Sequence, residues 1–128
     1  MQEKNLFEYA IIRIVPKVER EEFLNVGVVL YCAGRKFLQA KYELNPQRLS
    51  SFSDQLDIED IGCYLHAFKE ICAGDAESGP IGKLPPAERF RWLTATRSTV
   101  VQTSKVHPGL CDDPGESLEQ LYKQMVLQ

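Results

Sequence analysis

The sequence has no uninterrupted apolar run of about 18 or more residues, so no transmembrane helix is expected. Residues 1–5 lack the cationic start and the following apolar stretch of a secretory signal peptide. The 4 cysteines include no C-x-x-C pair, which argues against a disulfide framework and against paired zinc ligands. These absences favour a cytoplasmic protein with no membrane association, no metal and no cofactor.

The chain is also poor in histidine and has no excess of positive charge. It has 2 His, and 15 Lys and Arg stand against 18 Asp and Glu, for a net charge of −3. No field of the whole molecule would therefore attract nucleic acid, which remains a weakly supported partner. A length of 128 residues with 44% hydrophobic residues suits a single domain, residues 1–128, with its own core.

Three apolar stretches in the first part of the chain predict strands. Residues 7–15 are β-branched and aromatic. Residues 23–32 have an apolar residue at every second position, and 37–44 alternate apolar with polar side chains. The links between these stretches are short, which favours an antiparallel meander. With a fourth strand predicted over 98–103, the expected fold class is α+β with an antiparallel sheet of about four strands.

Helical patterns follow the meander. Asn45 and Pro46 are typical of a helix start, and apolar residues from Ile58 to Cys72 recur at helical spacing before Gly74. Pro85-Pro86 predicts a third helix and Asp113 a last one, while residues 79–82 are expected to form a loop. Three to four helices are therefore expected to pack on one face of the sheet.

The alternation in the second strand places Leu24, Val26 and Val28 on one face, with Leu30 and Cys32. If the helices cover that face, six apolar residues on the other side would form an exposed patch: Tyr9, Ile11, Val15, Phe23, Val29 and Tyr31. Large apolar patches mark interaction sites. Either the C-terminal helix or another chain, a protein partner or a second copy, would cover this one.

Residues 83–105 are the most basic stretch, with five basic residues and one acidic residue. Arginine forks beside hydroxyl and amide donors suit a phosphate or a carboxylate. The candidate binding residues are donors in and near this stretch, together with one on the second strand: Arg89, Arg97, Ser98, Gln102, Ser104, His107 and Asn25. We expect Arg97 to lie within about 5 Å of His107, Gln102 or an anion. An ordinary solvated sheet edge explains the same residues, because edge strands are routinely charged.

Four segments carry a family resemblance: residues 9–32, 71–75, 88–93, and 97–102 with His107. Together they resemble a bacterial family catalogued as domain of unknown function 3037, over about Tyr9 to Leu121. The resemblance implies no established activity. It implies an association with kinase-like proteins related to the toxin HipA, and hence a small partner subunit.

Two functions remain open from the sequence. The first is a non-enzymatic accessory protein that binds a protein partner, such as a HipA-like kinase, or a second copy of itself. The alternative is an enzyme that processes phosphate or nucleic acid with Arg89, Arg97 and His107. An enzyme should gather these groups with a carboxylate in a concave pocket, whereas a binding protein should present them on an open surface.

Overall fold

The computed structural model describes residues 4–75, 77–97 and 99–127. Its strands are β1 (Asn5–Ile14), β2 (Leu24–Cys32), β3 (Phe37–Tyr42), β4 (Val101–Thr103) and β5 (His107–Cys111). Its α-helices are α1 (Pro46–Phe52), α2 (Ile58–Ala73), α3 (Gly79–Gly82), α4 (Pro86–Leu93) and α5 (Pro114–Tyr122). Short 3-10 turns follow β1 and β2, and a π-helical turn, Lys123–Leu127, extends α5.

The five strands form one antiparallel sheet in the order β3-β2-β1-β4, with β5 also paired to β1. The α+β class and the N-terminal meander are confirmed. β1 is the central strand: β2 lies on one side, and β4 and β5 follow one another along the other side. The second side of β1 is therefore paired by β4 and β5, which lie far from β1 in the sequence.

The fifth strand was not predicted, because His107 followed by Pro108 and Gly109 is typical of a turn. In the structure Pro108 lies opposite Glu8 at the edge of the sheet, where the missing proline N–H does no harm. Gly109 lies opposite Phe7, and a Cβ on it would be 2.4 Å from the Phe7 ring. β4 is shorter than predicted, beginning at Val101.

A β-bulge in β2 changes which residues share a face. Ile12 pairs with Gly27 but Arg13 pairs with Asn25, so Val26 is the extra residue. Val26 therefore faces the same core as Val29, while Val28 faces the opposite side. The predicted common face of Leu24, Val26, Val28, Leu30 and Cys32 is wrong, because strict alternation does not continue through a bulge.

One face of the sheet, here called the three-helix face, includes Ala10, Ile12 and Ile14 of β1. It packs against α1, α2 and α4. The α2 stripe expected from the sequence is buried there, and α2 ends at Gly74 with a positive φ of 68°. Asn45 and Asp57 cap the first turns of α1 and α2 through their side chains. Residues 79–82 form the single helical turn α3 and not the expected loop.

The opposite face, here called the single-helix face, includes Phe7 and Ile11. It is covered by α5 and the π-helical turn, whose contributions to this core are Leu118, Tyr122 and Val126. Helices thus lie on both faces, and the expectation of helices on one face is wrong. The predicted six-residue patch is also absent. The helix α5 covers Ile11, and the bulge leaves Val29 facing the core of the three-helix face. Of the six residues only Phe23 is exposed, at 45%.

Candidate functional site

Arg89 on α4 stabilises the C-terminal end of α2 through hydrogen bonds. Its guanidinium donates to the carbonyls of Ile71 and Cys72 at 2.8 Å each and to the carbonyl of Leu84 at 2.9 Å. The first two carbonyls belong to the last turn of α2, where helical partners run out. Most donors of Arg89 are therefore engaged within the protein.

Arg97 makes similar hydrogen bonds at the C-terminal end of α4. It donates to the carbonyls of Trp92 and Leu93, and its guanidinium carbon lies 4.3 Å from the centre of the Trp92 ring. Burial lowers the pKa of Arg97. The guanidinium thus contacts both the main-chain carbonyl and the ring of Trp92.

Ser104 is buried between β4 and β5, where the chain departs from regular pairing. Its hydroxyl accepts a hydrogen bond from the Ile11 N–H at 2.8 Å and donates to the carbonyl of Lys105 at 2.9 Å. Its own N–H donates to the Ile11 carbonyl at 2.8 Å. The Ser104 side chain thus replaces a missing carbonyl in the β1 ladder. Ser98, a further predicted site residue, lies outside the described residues.

His107 begins β5 and lies opposite Tyr9, with ring centres 5.4 Å apart. Arg89 lies at the end of α2, Arg97 at the end of α4 and His107 against β1. The structure therefore places the three residues of the enzyme hypothesis against three different elements.

A row of polar side chains crosses the single-helix face. Arg13 of β1 lies opposite Asn25 of β2 on one side and opposite Gln102 of β4 on the other. Asn25 donates to the Met125 carbonyl at 3.1 Å, and Arg13 stacks over the Phe23 ring at 3.8 Å. Within the described ranges, the buried Arg13 Nε and Asn25 Oδ1 have no hydrogen-bond partner. Two predicted residues, Asn25 and Gln102, thus flank Arg13, which the sequence reasoning missed; its signal was a charge between Ile12 and Ile14 in an apolar strand.

An apolar groove lies between α2, α4 and β4, with a volume of about 210 Å³. Its exposed aromatic side chains are Tyr64, 54% exposed, and Trp92, 41% exposed. The remaining lining residues are Ala67, Phe68, Ile71, Leu93, Arg97, Thr99, Val101, Gln102 and Thr103. Of the predicted residues, Arg97 lies at this groove, and Gln102 borders it from β4, where its strand position otherwise matches Arg13 on the single-helix face.

The chain was compared with family models, with curated proteins and with solved structures. The model described as protein of unknown function (DUF3037) matches residues 9–126. The chain belongs to this family. No curated protein and no solved structure matches it. The family match confirms the resemblance, and the family's description names no activity.

The four cysteines are a further set of reactive side chains. Cys32, Cys72 and Cys111 are buried and Cys63 is exposed, all four as free thiols. Burial raises the pKa of Cys72 to about 12, although the nearby Arg89 charge opposes the shift. Burial, with the neighbouring Cys32, also raises the pKa of Cys111. Over residues 4–75, 77–97 and 99–127, no group of three metal-ligating side chains occurs, and no helix has the length and apolar character to cross a bilayer.

Proposed function

We propose that this protein is a non-enzymatic binding protein that engages a protein partner through the groove between α2, α4 and β4. The observation that carries the proposal is the pair of exposed aromatics, Tyr64 and Trp92, beside an apolar groove. Trp, Tyr and Arg are the residue types that dominate binding energy in protein interfaces. All three are present here.

The state of Arg97 supports the same proposal. Its hydrogen bond to the Trp92 carbonyl anchors the guanidinium, and its cation–π contact then restrains the indole ring before any partner binds. A side chain that is already ordered loses less entropy when it is covered. The groove is therefore suited to receive an apolar side chain of a partner.

The surroundings of the groove give less support to an enzyme. Acid–base catalysis needs a histidine, a carboxylate or a similar group within reach of the substrate. The described residues that line the groove include neither histidine nor carboxylate. Arg97 also donates two hydrogen bonds to main-chain carbonyls of its own chain.

The test uses Trp92, the only tryptophan of the chain, as a fluorescent reporter. HipA-like kinases, which the family resemblance suggests, are the first partners to titrate, followed by peptides selected from a displayed library. We expect partner binding to shift the Trp92 emission, and we expect Tyr64→Ala to weaken binding about tenfold.

Phe23→Ala is the matched control, since it removes another exposed aromatic, on the single-helix face. It should leave the affinity unchanged. If Phe23→Ala weakens binding as much as Tyr64→Ala does, or if binding leaves Trp92 emission unaltered, the groove is not the binding site.

A further inference from the structure

We propose that the free edge of β3 binds an extended acidic segment of a protein partner, which adds to the sheet as a further strand. β3 is the terminal strand of the order β3-β2-β1-β4, so only one of its sides is paired. This edge lies on the opposite side of the sheet from the groove at β4. The inference therefore goes beyond the proposed function and does not depend on Trp92.

The register shows which main-chain groups of β3 point outward. Glu43 donates to the Val26 carbonyl at 2.8 Å, in register with the β2–β3 pairs. Because hydrogen-bonding direction alternates along an antiparallel strand, Lys41 and Gln39 also point toward β2. Leu38 and Ala40 then direct their N–H and C=O groups to the open edge. Across the described residues, no hydrogen bond from another element reaches them.

A positively charged groove runs beside this edge, with a volume of about 440 Å³. β3 and its preceding turn line one side of it, and the end of α2 and the start of α4 line the other. Its cations are Lys36, Lys69 and Arg89, and no carboxylate is among the described lining residues. Cys72, Ala73 and Pro86 add an apolar floor. A chain lying along β3 would thus meet three positive charges.

The positive charges of the groove determine which kind of molecule can bind along β3. Two copies paired edge to edge through β3 would bring like charges together, and like charges across a strand pair are destabilising. A nucleic acid would satisfy the cations, but it lacks the alternating N–H and C=O groups that Leu38 and Ala40 require. An acidic extended peptide satisfies both, since strand addition combines main-chain hydrogen bonds with side-chain recognition.

The probe is a fluorescein-labelled peptide of alternating glutamate and valine, titrated with the full chain and followed by fluorescence anisotropy. We expect saturable binding, and increased protection of the Leu38 and Ala40 amides from hydrogen exchange when the peptide is bound. The double variant Lys36→Glu with Lys69→Glu should weaken binding at least about tenfold, because both charges are reversed. Lys83→Glu with Lys105→Glu, which reverses two exposed lysines outside the groove, should change the affinity much less.

Two further probes separate strand addition from charge alone. The same peptide with every backbone nitrogen methylated keeps its charge but cannot donate, so its binding should be lost. An oligonucleotide of equal charge should bind weakly. The proposal is overturned if the methylated peptide or the oligonucleotide binds as well as the parent peptide, if the amides of β3 gain no protection, or if a β3-paired dimer excludes the peptide. Tyr64→Ala should leave peptide binding intact, so failure of the groove at β4 and failure of this edge are told apart.

Discussion

The two faces of the sheet are built in different ways. The three-helix face is covered by α1, α2 and α4, which follow one another in the middle of the sequence, and its core is apolar around Ile12 and Leu65. The single-helix face is covered by α5 and the turn after it, and the polar row at Arg13 lies at one end of it. This contrast shows that one face has a larger, apolar core, while the other has a smaller core beside polar groups.

The largest expected effect separates the two cores. Leu65→Ala, in the centre of the three-helix core, should lower the free energy of unfolding by about 4 kcal/mol, because the packed surroundings cannot collapse into the cavity. Leu118→Ala on α5 should cost about 2–3 kcal/mol, since a single covering helix can shift inward.

Urea denaturation of both variants measures the difference, and hydrogen exchange locates it. In Leu118→Ala, the α5 amides should exchange faster while those of α2 keep their protection. Equal losses of stability in the two variants would show that the faces do not differ as described.

A smaller effect is expected at the seam between β4 and β5. Ser104→Ala removes the acceptor of the Ile11 N–H and leaves that buried group unpaired. An unsatisfied buried donor costs about 1–3 kcal/mol. Thermal or urea unfolding measures this loss, and Ser51→Ala, an exposed serine on α1, is the matched control and should change stability little. A Ser104→Ala protein as stable as the parent would mean that the hydroxyl does not complete the ladder.

The smallest effect is expected in the reactivity of the cysteine thiols, because buried thiols react only when the face that covers them opens. At pH 8 the folded chain should react with about one equivalent of Ellman's reagent, at Cys63, whereas the unfolded chain should react at all 4 cysteines. Cys63→Ser should abolish the reaction of the folded chain. Rapid reaction of Cys111 but not of Cys72 would show that the single-helix face opens more often.

The raised pKa of Cys72 also predicts how the free energy of unfolding changes with pH. The folded-state pKa of Cys72 is about 12, so the unfolded chain releases this proton at a lower pH than the folded chain does. The stability that Cys72 contributes is complete below about pH 8.5 and falls as the pH rises above it. Cys72→Ala should flatten that decline.

The sequence was most informative where local patterns decide the structure. The helical spacing from Ile58 to Cys72, the cap at Asn45 and the short strand links predicted α2, α1 and the meander correctly. These features depend on residues a few positions apart, so a single sequence contains them.

Features that depend on distant residues could not be predicted in the same way. The bulge at Val26 is visible only against the β1 register, and the fit of Gly109 under the Phe7 ring is visible only once β5 pairs with β1. Residue type alone made Arg89 and Arg97 candidate anion ligands, with a solvated surface as the alternative. In the structure they bond to helix-end carbonyls that only the fold brings near them. Tyr64 and Trp92 were not among the predicted site residues, and their exposure beside one groove depends on how α2 and α4 pack together.

The central position of β1 has a consequence for how the protein is made. Ile11 and Ser104, which are hydrogen-bonded, are 93 residues apart in the chain. During translation at about 5–20 residues per second, β1 therefore waits several seconds with one ladder unpaired while the rest of the domain emerges. An apolar strand with an open edge is prone to aggregation over that interval. We therefore expect nascent chains stalled before residue 101 to depend on chaperones, and chains extended past residue 111 to be released from them.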